Sequence, residues 1–447
     1  MNLLKFQERS KTMYDYAIMN GKLYINGHWE THNLYIEKEE IALISDDFLD
    51  ATQVIDAEGL EVLPGIIDPH VHFELDLGKY KSVDDFYHGT VAAAYGGVTS
   101  IVDFLDPASN ADELQTAYDK RMALANKSVI DFRLHACIKN PTGDLEEFVK
   151  KMKSLDIHTL KLFTTYSDSG RRTYEKDIIK LLELSEKYKF LLLAHVENDD
   201  LIVIKKDFTY QDLPISRSSE AEKSEALKLA ELVRQHGGKL YMVHLSDGHT
   251  LEALIEKYDD ILNKRFFVES CPQYFTFTNE DLEREDGYLY SFAPPLRGFV
   301  SRKLLFTNQK HIDTIGTDHC AFNIADKKGK MLFEMPLGIG GIEHSFTIMR
   351  HHLGDAVINK MTSNIARIQG LNQKGEIKVG NDADLVIFKP EPRSLILDQH
   401  GNADYSLYIG QPSHGQVIST MVRGHFVIKN RVYQGGQGRW IKGRDIE

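Results

Sequence analysis

The sequence predicts an α/β fold, a closed (β/α)8 TIM barrel with a small β-sandwich domain formed from both chain ends. Three observations predict it. Eight short, apolar, β-branched runs alternate with amphipathic stretches across about three hundred residues, the rhythm of a parallel barrel. The segments before and after that stretch read as strands alone. Residues with chemical potential recur where the apolar runs stop, and all strand ends of a parallel barrel open on one catalytic face.

Taken in order, the first sixty or so residues are β in character, with Asn20-Gly21 and Asn26-Gly27 as turn signals around residues 22–25. The eight barrel strands are read at 62–67, 99–104, 132–138, 158–163, 190–195, 240–245, 266–270 and 314–317. Helical spacing marks 111–125, 145–155, 174–188 and 220–236. An open doubly wound sheet competes, because alternation alone does not prove closure. Ligand-type residues on strands one, four, five, six and eight must meet at one point, and that favours the barrel. After it, residues 380–388 and 417–422 return to β, with Arg423-Gly424 and Asn430-Arg431 as turns. The chain divides into 1–63 (sandwich, first part), 64–375 (barrel) and 376–447 (sandwich, second part, and tail).

Composition narrows the function. A chain of 447 residues has room for one large barrel and something smaller. The net charge of −13 argues against nucleic acid or an anionic membrane as partner. Cys137, Cys271 and Cys320 cannot all pair, which suits a reducing compartment. No apolar run reaches the roughly 18 residues of a membrane span. Lys5, Glu8, Arg9 and Lys11 break the first thirteen residues too often for a signal peptide. The cytoplasm is the expected location.

Six residues carry the chemistry. His70 and His72 stand two apart at a strand end, so both imidazoles point to one face and can share an ion. His195 and His244 each end an apolar run, where a histidine is often only a hydrogen-bonded core residue. Asp318 follows Gly316-Thr317, a place where a helix N-cap is the commoner role. Together these residues suit borderline cations, zinc foremost. Lys161 sits inside the apolar run Leu160-Lys-Leu-Phe163. An ammonium there is costly unless paired or neutralised. A salt bridge or a snorkelling side chain is the plain account. A carbamate formed with carbon dioxide is the alternative that would let it bridge two cations.

These residues resemble the cyclic amidohydrolases of the dihydropyrimidinase and hydantoinase family. The matching segments are Gly65-Ile-Ile-Asp-Pro-His-Val-His72, Asp84-Asp-Phe-Tyr-His-Gly-Thr90, Gly96-Gly-Val-Thr-Ser-Ile-Val-Asp-Phe104 and Leu193-Ala-His-Val-Glu-Asn198. Val243-His-Leu-Ser246, Cys271-Pro-Gln-Tyr274, Pro294-Pro-Leu-Arg297, Gly316-Thr-Asp-His-Cys320 and Gly380-Asn-Asp-Ala-Asp-Leu-Val386 extend the likeness to nearly the whole chain. The resemblance implies a barrel and a sandwich built from both ends. It implies two divalent ions per subunit, with His70, His72 and Asp318 on one, His195 and His244 on the other, and Lys161 as N6-carboxylysine between them. It also implies that Tyr166 orients the substrate and stabilises the oxyanion, and that backbone at Ala293 and Leu337 binds the ring amide. Leu337 stands where the family usually has Asn. Homotetramers or homodimers are the family's usual assemblies.

The implied reaction opens a hydantoin or dihydropyrimidine ring to an N-carbamoyl amino acid. A metal-activated water attacks the carbonyl, and Asp318 moves its proton to the leaving nitrogen. Allantoinases and dihydroorotases share the metal core. Dihydroorotases usually place an Arg two residues past the second histidine, where this chain has Glu74, which would repel a substrate carboxylate. The stretch Gly338-Ile-Gly-Gly-Ile-Glu343 is somewhat allantoinase-like, while residues 84–90 favour hydantoinase. Scaffold proteins of the same fold lose metal ligands. All six are present here.

Overall fold

The computed structural model describes residues 13–446. The expectation of no signal segment at the N-terminus falls almost wholly outside them. The barrel strands are Ile66–Val71, Val98–Phe104, Asp131–Cys137, Thr159–Phe163, Leu191–His195, Leu240–Met242, Phe266–Ser270 and Thr314–Ile315. They lie side by side in chain order and every neighbouring pair is parallel. The end of the first strand meets the segment just past the last through a parallel bridge between Val71 and His319, and the His72 N–H donates to the His319 carbonyl at 2.8 Å. That contact closes the barrel.

Two readings of the strands need correction. The run at 62–67 is two strands: Glu61–Pro64 belongs to the terminal domain and Ile66–Val71 opens the barrel. Gly65 is the joint, and a Cβ there would lie 2.1 Å from Thr99 Oγ1. The sixth strand ends at Met242 rather than at 245, shortly before His244 takes a left-handed backbone (φ 41°) that breaks the ladder. The helices need little correction. Ala111–Ala125 is capped by Asn110, whose side chain accepts from the N–H groups of Asp112 and Glu113. The helices Leu145–Ser154, Glu175–Tyr188 and Ser219–His236 follow the apolar spacing that announced them.

The chain ends form the sandwich. A four-stranded sheet comes from residues 14–56 alone, and a seven-stranded sheet mixes early strands with four from the C-terminal region. In that second sheet Glu61–Pro64 runs antiparallel to Leu385–Leu395 and parallel to Lys22–Ile25. Ile18, Leu23, Leu34 and Val62 bury their side chains with Leu385 and Met421 in one apolar cluster, so neither end is covered without the other. Asn26-Gly27 is the expected hairpin turn, whereas Asn20-Gly21 carries the chain from one sheet to the other. Among the described residues no helix is long and apolar enough to cross a membrane.

Candidate active site

At the C-terminal ends of the barrel strands lies a cavity of about 570 Å³, lined by His70, His72, Lys161, His195, His244 and Asp318 together. Tyr166, Ala293 and Leu337 line it as well. The structure thus gathers every site residue named from the sequence around one space. Three of them reach it through backbone that non-glycine residues rarely adopt. Tyr166, His244 and Asp318 have φ of 68°, 41° and 53°. Such conformations cost of order 1–3 kcal/mol each and collect at active sites, where the surrounding structure imposes them.

One sub-cluster is tight. Asp318 Oδ1 lies 3.2 Å from His70 Nε2 and 3.1 Å from His72 Nε2, and ligand atoms of the three residues lie within 4.8 Å of one another. Burial would raise the Asp318 carboxyl, but His70 and the other histidines hold it well below the usual carboxylate range. The rings of His195 and His244 meet edge-on with centroids 4.6 Å apart, and the tilted rings of His70 and His244 lie 5.4 Å apart. His244 Nδ1 is buried with no hydrogen-bond partner. Converging imidazoles, a carboxylate and an orphaned buried nitrogen fit a cation-binding centre.

Lys161 is 2% exposed and makes no ion pair among the described residues. Its Nζ lies 5.3 Å and 5.4 Å from the ring centroids of Phe104 and Phe163. Burial pushes the amine down to about 8, with Asp318 only partly opposing. Salt bridging and snorkelling, the plain accounts of this lysine, are both absent.

A family model described as the amidohydrolase family matches residues 62–427. The chain belongs to the amidohydrolase family. This amidohydrolase is 32% identical over 460 residues to the D-hydantoinase of Geobacillus stearothermophilus, covering 95% of this chain and 96% of that one. It is 31% identical to D-phenylhydantoinase of Escherichia coli over 87% of its own length and 89% of the relative's. Its fold superposes on dihydropyrimidinase from Brevibacillus agri with a TM-score of 0.91 at 29% identity, covering 97% and 100% of the two chains. The family implies divalent metal binding, in keeping with the His70, His72 and Asp318 group.

Behind the cavity the amidohydrolase keeps carboxylates that sequence reasoning left without a role. Glu269, on the seventh strand, takes His70 Nδ1 at 2.8 Å, the backbone N–H of His244 at 3.0 Å and the Tyr241 hydroxyl at 2.7 Å. Gly316 makes room for it, since a Cβ there would sit 2.7 Å from Glu269 Oε2. Glu197 bonds His195 Nε2 at 2.6 Å and pairs with Arg217, whose guanidinium also lies 4.8 Å over the Tyr166 ring. Burial would raise Glu197, yet Arg217 and His195 hold it down at about 2. Asp68 accepts from the N–H and hydroxyl of Thr317, fixing the residue before Asp318. A carboxylate inside an apolar strand, as in Phe266-Phe-Val-Glu-Ser270, was the available signal for Glu269. Glu74 needs the opposite correction. It does not line the cavity and instead pairs with Lys81 at 3.2 Å, so it makes no direct contact with the space where a substrate carboxylate would lie.

Carboxylate partners of this kind fix the ring orientation of a ligating histidine. Glu269→Gln is therefore expected to weaken metal affinity by roughly 10–100-fold, measured by competition with a chelator. Equal affinities in mutant and wild type would assign Glu269 to the fold alone.

Proposed function

We propose that this chain is a binuclear-metal cyclic amidohydrolase that opens a hydantoin or dihydropyrimidine ring to an N-carbamoyl amino acid. One observation carries the reading: six ligand-type side chains, in or just past five barrel strands, meet in a single cavity with Tyr166 at its wall. The relatives named for hydantoin and dihydropyrimidine chemistry support the choice of substrate class.

His70, His72 and Asp318 would hold one divalent ion, and His195 and His244 the second. Zinc suits this nitrogen and oxygen donor set. Lys161 would serve both as N6-carboxylysine. Its lowered pKa raises the share of neutral amine, whose lone pair closes an N–C bond to carbon dioxide. A C=O electron pair moves to oxygen and one N–H proton leaves, giving an anionic carbamate. When bound, the ions lower the pKa of water from 15.7 to about 7 and polarise the carbonyl.

The remaining steps belong to the chain. Tyr166 donates its O–H to the oxygen that becomes negative, a contribution of roughly 10²–10³ in kcat for one such donor. Asp318, held ionised by its histidines, accepts the proton of the attacking water and returns it to the leaving ring nitrogen. Backbone at Ala293 and Leu337 meets the ring amide. Leu337 also packs on the apolar core, so its side chain serves wall and interior at once.

The same reading places the enzyme in the cytoplasm as a homodimer or homotetramer. The buried, unpaired Cys137, Cys271 and Cys320 support a reducing compartment. Exposed Val203, Ile204 and Ile215 support self-association, with the Val203 N–H joined to the Ser216 carbonyl at 2.9 Å.

A hydrolysis screen with hydantoin, dihydrouracil, dihydroorotate and allantoin tests the assignment. Turnover of hydantoin or dihydrouracil ahead of the other two is expected. A preference for dihydroorotate or allantoin would overturn the substrate class while leaving the metal centre intact.

A further inference from the structure

Lys327 ends the short helix Ile324–Lys327 and is fully buried. Its Nζ donates to the carbonyls of Gly338 at 2.6 Å and Ser291 at 2.8 Å, with the Leu289 carbonyl at 3.5 Å. No described carboxylate forms an ion pair with it. A buried amine without a counter-ion is costly, so these carbonyls are its compensation, and it in turn fixes where they lie.

The two main carbonyls belong to different segments that both reach the cavity. Ser291 stands two residues before Ala293, and Gly338 directly follows Leu337. The Gly338 N–H also donates to the Ser291 carbonyl at 3.1 Å, so the segments are joined twice. The helix that delivers the amine is itself anchored. Asn323 and Asp326 form a capping box, and the Ile324 N–H donates to Asp404 at 2.9 Å. There is little slack behind the Leu337 wall, because a Cβ on Gly338 would fall 2.6 Å from the Cys320 carbonyl oxygen.

We propose that Lys327 is a positioning residue that sets the separation between the Ala293 and Leu337 segments, and thereby the fit of the ring amide between them. It makes no hydrogen bond to any of the six ligand-type residues. Its effect falls on substrate recognition rather than on metal binding. This inference rests on the cyclic-amide reading above.

Lys327→Met keeps the unbranched apolar stem, one atom shorter, and removes the donor. In the metal-loaded enzyme, metal content should match wild type, while KM for the ureide that wild type hydrolyses rises at least about tenfold and kcat falls by less. A folded variant with unchanged KM, or one that loses metal while KM stays put, overturns the proposal. Should Lys327→Met fail to fold, Lys327→Gln, shorter and uncharged, loosens the same carbonyl contacts and must raise KM in the same way. Wild-type turnover with unchanged KM in the variant that folds defeats this inference alone. A wild type inactive on all four ring compounds defeats the functional reading, and this inference falls with it.

Discussion

Lys161→Ala is expected to empty most of the metal centre. Wild type should bind about two divalent ions per subunit, and the variant substantially fewer, with turnover down by more than about 10³ because water is no longer activated near neutral pH. The cause is electrostatic. The amine lies 5.3 Å and 5.4 Å from two phenylalanine ring centroids with no ion pair among the described residues, an expensive place for an ammonium and worse for an isolated anion. A carbamate would be tolerable there only beside cations, so on the proposed reading the lysine and the metals would stabilise each other. Short carboxylic acids added to the alanine variant should restore part of the activity by occupying the vacated bridge. Elemental analysis and assay read both effects. An alanine variant with two ions and the wild-type rate would mean that Lys161 bridges nothing.

The second large effect is expected at Asp318. Its Oδ1 faces two imidazoles at 3.1–3.2 Å, and its left-handed backbone aims it into the cavity. Asp318→Asn preserves shape but removes the anionic oxygen proposed both to hold an ion and to accept the proton. Loss of a positioned acid–base group costs roughly 10²–10⁴, so turnover should fall at least that far even in samples that retain metal. The check is kcat normalised to bound metal. A normalised rate near wild type would transfer the proton to another group.

Much of this was legible before any coordinates. Helix Ala111–Ala125 starts and ends where its apolar spacing says it should. The strand-end histidines were legible for a related reason: a short apolar run stops where the chain reaches water or a ligand. The break at Gly65 was not, because the apolar pattern runs straight through it and only pairing with Leu385–Leu395 assigns Glu61–Pro64 to another sheet. Glu197 and Glu269 were visible as charges in apolar surroundings, as Lys161 was, but their partners His195 and His70 are set by the closed barrel or by local chain direction. Glu74 misled for a similar reason. Two residues past His72 the backbone turns left-handed (φ 47°), and the carboxylate points to Lys81. Alternation along a strand cannot be extrapolated past such a turn.

The sandwich has a consequence for how the chain is made. Pro64 pairs with Leu385 and Val62 with Ile387, so strands from the start of the chain wait for partners near its end. A ribosome adding roughly 5–20 residues per second delivers those partners tens of seconds later. Throughout that interval the apolar face of Ile18, Leu23, Leu34 and Val62 has no cover from Leu385 and Met421. The vulnerable period in the life of this protein is therefore its synthesis, with an unfinished sheet at the N-terminal end that holds the greatest risk of pairing with another nascent chain.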